Sequence, residues 1–226
     1  MSKYGRVRIK DIAKELDLST ATVSRALNPE TEHMVGKDQV KRVRDCAREL
    51  GYIPNLAAAA LRNQKTHVIG VVIPDILNPV FPPMIKGIQS YLFTQGYITI
   101  FVFSNNNQEE ALEEVRRLAM RNVDGLILAS AFLEDRSVSE CLLQEIPLVL
   151  ANRSIQEGHL VHQVLSDDQH GMELAINHLI SLGHRHLAHF AGPDTILQGL
   201  KRRQAFEWLC QQNNIEFDII NCDQDD

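Results

Sequence analysis

The chain has 226 residues, 44% of them hydrophobic and 23% charged, with a formal net charge of −6. That length buries a sizeable core and leaves room for more than one domain. The composition is that of a soluble globular protein, with no apolar run near the ~18 residues of a membrane helix and no secretion signal in the basic, polar start, so a cytoplasmic protein is expected.

The charge is unevenly spread. Residues 1–65 hold 13 Lys and Arg against 8 Asp and Glu, whereas the remainder holds 10 against 21. A basic head on an acidic body suggests that only the head meets a polyanion. The head carries three helical patterns. Ile9 to Leu16 places Ile12, Ala13 and Leu16 on one face, Ser19 to Leu27 turns Val23, Ala26 and Leu27 inward, and Lys37 to Leu50 spaces Val40, Val43, Ala47 and Leu50 helically. Gly51 stands where a C′ residue belongs, with Pro54 close behind. Residues 54–66, PNLAAAALRNQKT, read as a linker able to become a short helix.

From His67 the texture changes to apolar runs alternating with amphipathic segments. Strands are expected at 67–74, 97–103, 124–130 and 147–152, with helices at 80–95, 108–121 and 135–144 between them. A short strand near 162–166, a helix over 168–182, a strand at 186–192, a helix over 196–213 and a strand at 216–220 follow. Alternation at this spacing implies βαβ units and a parallel sheet covered on both faces. The four cysteines, Cys46, Cys141, Cys210 and Cys222, lack Cys-x-x-Cys spacing and read as idle thiols.

The first two helices fit a helix-turn-helix because Ile12, Ala13, Leu16, Leu18, Val23 and Ala26 fill its interior positions. Asp17 takes the turn position that usually prefers Gly, and Asp tolerates a left-handed conformation. Ser19 is placed to cap the second helix, which would lie in the major groove with its N-terminal residues on base edges. Thr20, Ala21 and Arg25 are then the base-facing residues: Thr bonds a base or meets a thymine methyl, Ala makes an apolar contact, and Arg forks onto guanine. Thr22, Ser24 and Asn28 suit phosphates, and Arg6, Lys10 and Lys41 add unspecific attraction. The alternative is an ordinary helical hairpin with a hydroxyl-rich face.

Taken together, IKDIAKEL, STATVSRALN, ELGYIPN, IGVVIPDILNPVF, NVDGLILA and HLISLGHRHLAHFAGP resemble the lactose-repressor (LacI/GalR) family of bacterial transcription regulators, in register from about Arg8 onward. The resemblance implies an all-α helix-turn-helix head (1–53), a hinge helix or linker (54–66) and an α/β, Rossmann-like ligand domain of periplasmic-binding-protein type. That domain runs over 67–226, with subdomains at 67–166 and 167–226. It implies a homodimer or dimer of dimers on a pseudo-palindromic double-stranded operator, a sugar-like small effector, and repression reset by closure of the two subdomains. It also assigns Asn55 to DNA and Leu61 to a wedge in the central minor groove. Asp75, Asn78, Phe81, Ser130, Arg153, Asp167 and Arg202 become effector contacts, with Phe81 stacking on a sugar ring. Each has a plainer reading: Asp75 and Asp167 as helix caps, Phe81 as core, Arg153 and Arg202 as surface charges.

The sequence departs from the family in places. Arg8 replaces a Thr cap, Gly36 a Ser cap, and Ala205 a Gly. Family chains are usually longer, and this one stops just after the second strand of the second subdomain, which is expected to be incomplete and weakly folded beyond about residue 160. A regulator that has lost its ligand response, or acts by mixed dimerisation, is the alternative. An enzyme is not expected, since the chain has no G-x-S-x-G, H-E-x-x-H, P-loop or G-x-G-x-x-G. Neither cofactor nor metal is expected: His184, His186 and His189 straddle a strand and read as solvent-facing or capping groups. A free-standing sugar-binding module would lack the N-terminal helices.

Overall fold

The computed structural model describes residues 7–54 and 65–222. The chain divides into two units, residues 1–64 and 65–226. Arg6, Asn55 and Leu61, and with them most of the expected linker, lie outside the described residues.

In the first unit, helices α1 (Ile9–Leu16), α2 (Thr20–Leu27) and α3 (Lys37–Glu49) pack around Ile12, Ala13, Val23, Ala26, Val40, Val43, Cys46 and Ala47. Ile12, Val23 and Val43 are wholly buried, each contributing about 1.5–3 kcal/mol of apolar transfer. The α1–α2 turn is tight because Asp17 adopts φ 53°, ψ 49°. Ser19 Oγ then accepts from Thr22 N–H at 3.1 Å and caps α2. Arg8 has no acceptor to offer α1, and Asp11 compensates in part: its carboxylate accepts from Arg8 N–H at 2.9 Å, one half of a capping box. α3 ends in a Schellman motif. Tyr52 N–H reaches Ala47 O at 2.8 Å and Gly51 N–H reaches Arg48 O at 3.1 Å. Gly51 takes the required positive φ of 68°, and Tyr52 folds back onto the core.

The second unit is built on a five-stranded parallel sheet in the order β2-β1-β3-β4-β5. Its strands are β1 (Val68–Ile73), β2 (Ile98–Phe103), β3 (Gly125–Leu128), β4 (Leu148–Ala151) and β5 (His162–Val164), connected through α4 (Phe81–Thr94), α5 (Gln108–Met120) and α6 (Arg136–Leu143). Period-two alternation sends β1 side chains to two cores. Val72 joins Val115, Leu118, Leu126, Leu128, Val138 and Cys141 under α5 and α6, while Val71 and Ile73 join Phe81, Ile85 and Ile88 under α4. The strand order reverses between β1 and β3, which opens a crevice beyond their C-terminal ends, where doubly wound sheets take ligands.

Residues after β5 form α7 (Asp168–Ser181), β6 (His186–Ala191), α8 (Leu197–Gln212) and β7 (Glu216–Asn221). β6 and β7 pair in parallel as a second sheet, with Phe190 opposite Ile220. One face is covered by Ile176 of α7 and by Phe206 and Leu209 of α8. On the other face Phe190 is 68% exposed and Ile220 43%.

Candidate functional site

In the first unit, Val23 and Ala26 anchor α2 to the core and Leu27 packs against it, which leaves Thr20, Ala21 and Arg25 exposed. Thr20, Ala21, Ser24 and Arg25 line one open surface depression together with Ile9 of α1. Thr20, Ala21 and Arg25 are exposed, and among the described residues no carboxylate pairs with Arg25. The surface therefore offers a short run of small and hydroxyl side chains with one unpaired forked cation a turn further on. Thr22 and Asn28 stand apart from it. The Thr22 hydroxyl shares a 2.9 Å hydrogen bond with that of Ser19, and Asn28 Oδ1 accepts from Glu30 N–H at 3.0 Å in the turn that closes α2.

In the second unit, four expected residues follow the C-terminal ends of strands. Asp75 and Asn78 lie in the loop after β1, where their side-chain oxygens accept from Leu77 N–H (2.8 Å) and Val80 N–H (3.1 Å). Ser130 follows β3, is wholly buried, and its hydroxyl has no hydrogen-bond partner among the described residues. Arg153 follows β4 and reaches across to Asn106, beyond β2, with Nη2 2.9 Å from Asn106 Oδ1. Burial pushes the Arg153 pKa down to about 10. Phe81 is a correction. It is 2% exposed and packed with Val71, Ile73 and Ala129, so its ring belongs to the α4-side core and is not available to stack on a sugar. At the first position of α4 either outcome fits the pattern; the turn at Asn78, which bonds Phe81 N–H at 3.1 Å, points the ring inward.

Asp167 and Arg202 sit in the second subdomain. Asp167 caps α7, accepting from His170 N–H at 3.0 Å. It lines a groove of about 460 Å³ with Ser166, Gln198, Lys201 and Trp208. Arg202 turns its Nε to Asp168 Oδ1 at 2.6 Å, against a carboxylate only 7% exposed. The two subdomains are tied at this level: Gln198 accepts from Ser154 N–H at 3.1 Å, and Leu133 N–H donates to Thr195 O at 2.8 Å. A second cleft of about 900 Å³ opens between the loops after β3, β4 and β6, lined in part by Leu133, Asp135, Gln156 and Thr195. None of the expected effector residues lines it.

Sequence reasoning missed Ser104 and Asn106, which follow β2 as Ser130 follows β3, and Asp168, the partner of Arg202. The strand-end argument that selected Ser130 and Arg153 reaches the first two when it is carried to β2. The three histidines do not gather. His186 pairs with Asp218 at 2.8 Å on the open face of the second sheet. His189 points to the opposite face and stacks on Phe206 with ring centroids 5.0 Å apart, so it is a packing group and not the solvent-facing or capping residue expected. The reason is alternation: three residues along a strand reverse the face.

Two family models match the chain. Residues 8–55 match the bacterial regulatory proteins of the lacI family, and residues 66–225 match the periplasmic binding proteins and sugar-binding domain of the LacI family. The ribose operon repressor of Halalkalibacterium halodurans is 29% identical over 215 residues, covering 95% of this chain and 63% of that protein. Catabolite control protein A of Priestia megaterium is 33% identical over 186 residues, covering 82% of this chain and 55% of that protein. The chain thus spans less than two thirds of the length of these curated relatives. The crystal structure of the lac repressor dimer bound to operator and the anti-inducer ONPF superposes with a TM-score of 0.83 at 23% identity, over 96% of this chain and 65% of that one.

Proposed function

The chain belongs to the LacI family of bacterial regulatory proteins, and on that premise we propose that it is a transcriptional repressor whose grip on an operator is set by a small effector. The single observation that carries the DNA half is the open surface on α2. There Thr20, Ala21, Ser24 and Arg25 lie together on a helix capped by Ser19, and Arg25 is free of any carboxylate among the described residues. In this reading α2 enters the major groove, Thr20 and Ala21 contact base edges, Arg25 forks onto a guanine, and Thr22, Ser24 and Asn28 stand against phosphates. Asn55 and Leu61 complete the DNA contacts in the linker.

The effector half rests on the crevice at the β1–β3 reversal, where Asp75, Asn78, Ser130 and Arg153 follow strand ends, and on Asp167 and Arg202 across the Gln198–Ser154 link. A ligand held from both subdomains biases their closure and so the DNA affinity. The relatives' names, a ribose operon repressor and a catabolite control protein, support a metabolite effector. The operator-bound lac repressor dimer supports a homodimer acting on a symmetric site, in the bacterial cytoplasm.

Fluorescence anisotropy on a cognate and a scrambled duplex tests the base-reading role. Arg25→Ala is expected to weaken cognate binding by about 1–3 kcal/mol and to relax specificity at one base pair. Equal losses on both duplexes would reduce Arg25 to a phosphate contact.

A further inference from the structure

Arg153 is an unusual cation for a strand-end crevice. Its Nη2 is met by Asn106 Oδ1, a neutral acceptor. Its Nη1 is buried and has no hydrogen-bond partner among the described residues. Burial lowers its pKa, and among the described residues it makes no ion pair. Arg153 as a whole is half-buried; a desolvated cation without a counter-charge is unfavourable, as is a buried donor left without an acceptor.

The surroundings supply more donors. Ser104, just past β2, donates its N–H to Ile73 O at 3.0 Å, which sets it beside the end of β1. Ser130 is just past β3. Both are 0% exposed, and both hydroxyls lack a partner among the described residues. Because the strand order is β2-β1-β3-β4, an Arg153 side chain running from the β4 end to the β2 loop crosses the ends of β3 and β1. The guanidinium and the two hydroxyls therefore share one edge of the sheet.

A neutral polyol would leave the Arg153 charge unmet. A forked guanidinium flanked by hydroxyl donors matches an oxyanion, which accepts two or more charge-assisted hydrogen bonds. We propose that the effector of this chain carries an anionic group, a phosphate or a carboxylate, bound by Arg153 at the C-terminal edge of the five-stranded sheet, along which the unpartnered hydroxyls of Ser104 and Ser130 also lie. The proposal rests on the reading of that edge as the effector crevice.

Thermal unfolding of the 226-residue chain tests it, with wild type, Arg153→Met and Arg153→Lys each measured in sodium chloride, sodium phosphate and sodium acetate at matched ionic strength. General salt effects act on all three proteins alike. Wild type is expected to gain about 2–4 °C in the anion that fits, relative to chloride, as a ligand held at several times its Kd would give. Arg153→Met is expected to lose that gain, and Arg153→Lys to keep at most half of it. If Arg153→Met does not fold, the comparison of wild type with Arg153→Lys decides. A phosphate-only or acetate-only gain identifies the group. The same shift in wild type and variants, or none in any, overturns the proposal. Glucose and operator affinity separate this from the broader reading. If glucose stabilises wild type and neither anion does, the crevice still binds effector and the anion assignment alone fails. If an anion binds through Arg153 yet leaves operator affinity unchanged, the anion site stands and the effector reading fails.

Discussion

His189 shows how one side chain ties a packing fact to a pH response. Its ring is held below the ordinary imidazole value of 6.5, first by burial and then by Arg202 and Arg203. The folded chain therefore prefers the neutral ring. That contribution is complete above pH ~6.5 and is lost progressively as the pH falls from there towards the lowered folded value. The melting temperature of wild type is expected to drop more between pH 7 and 5 than that of His189→Phe, read by calorimetry; parallel curves would show that the ring titrates as it does in the unfolded chain. Residue identity alone did not reveal this environment. HLAHFAG shows that 186 and 189 face opposite ways, but not that Phe206, seventeen positions on, comes back to cover His189. Phe81 is a parallel case, since one aromatic at the start of a helix fits a crevice or a core equally well until the preceding turn is known.

At the scale of elements, buried β-branched runs announce parallel strands, and the amphipathic segments between them announce helices, because each must hide one stripe. β1 to β7 and α1 to α8 accordingly fall within two or three residues of the boundaries that the sequence suggests. Close approaches between elements are less legible. A Cβ on Gly199 would sit 2.9 Å from Pro193 O and 3.4 Å from Gly192 O, so only glycine lets α8 lie this near the loop after β6. Gly199→Ala must push α8 outward, and it does so one residue from Gln198, which holds Ser154. A loss of about 1–3 kcal/mol in urea unfolding is expected; an unchanged midpoint would mean that the loop yields freely. Ser19→Ala acts on another element, removing the α2 cap at about 1 kcal/mol, with weaker DNA binding as the accompanying readout.

Over the whole molecule, stability is unequally distributed. β1 is hydrogen-bonded on both sides and packed on both faces, whereas β6 and β7 pair only with each other among the described residues and leave Phe190 and Ile220 in solvent. Amide exchange in β6 and β7 is expected to outpace that in β1 and β3 under native conditions; equal protection would show that the second sheet is shielded as well as the first. The division of charge, a basic head and an acidic remainder, was legible from composition, and it bears on the central claim that α2 reads DNA sequence. The most direct test is selection of duplexes from a random library by the 226-residue chain, followed by titration of the enriched and a scrambled duplex at several salt concentrations. The account predicts one recurrent sequence, bound at least ~10³-fold more tightly than the scrambled duplex, with affinity for both falling steeply as salt rises. A pool that remains random, with binding that depends on salt and not on sequence, would contradict it.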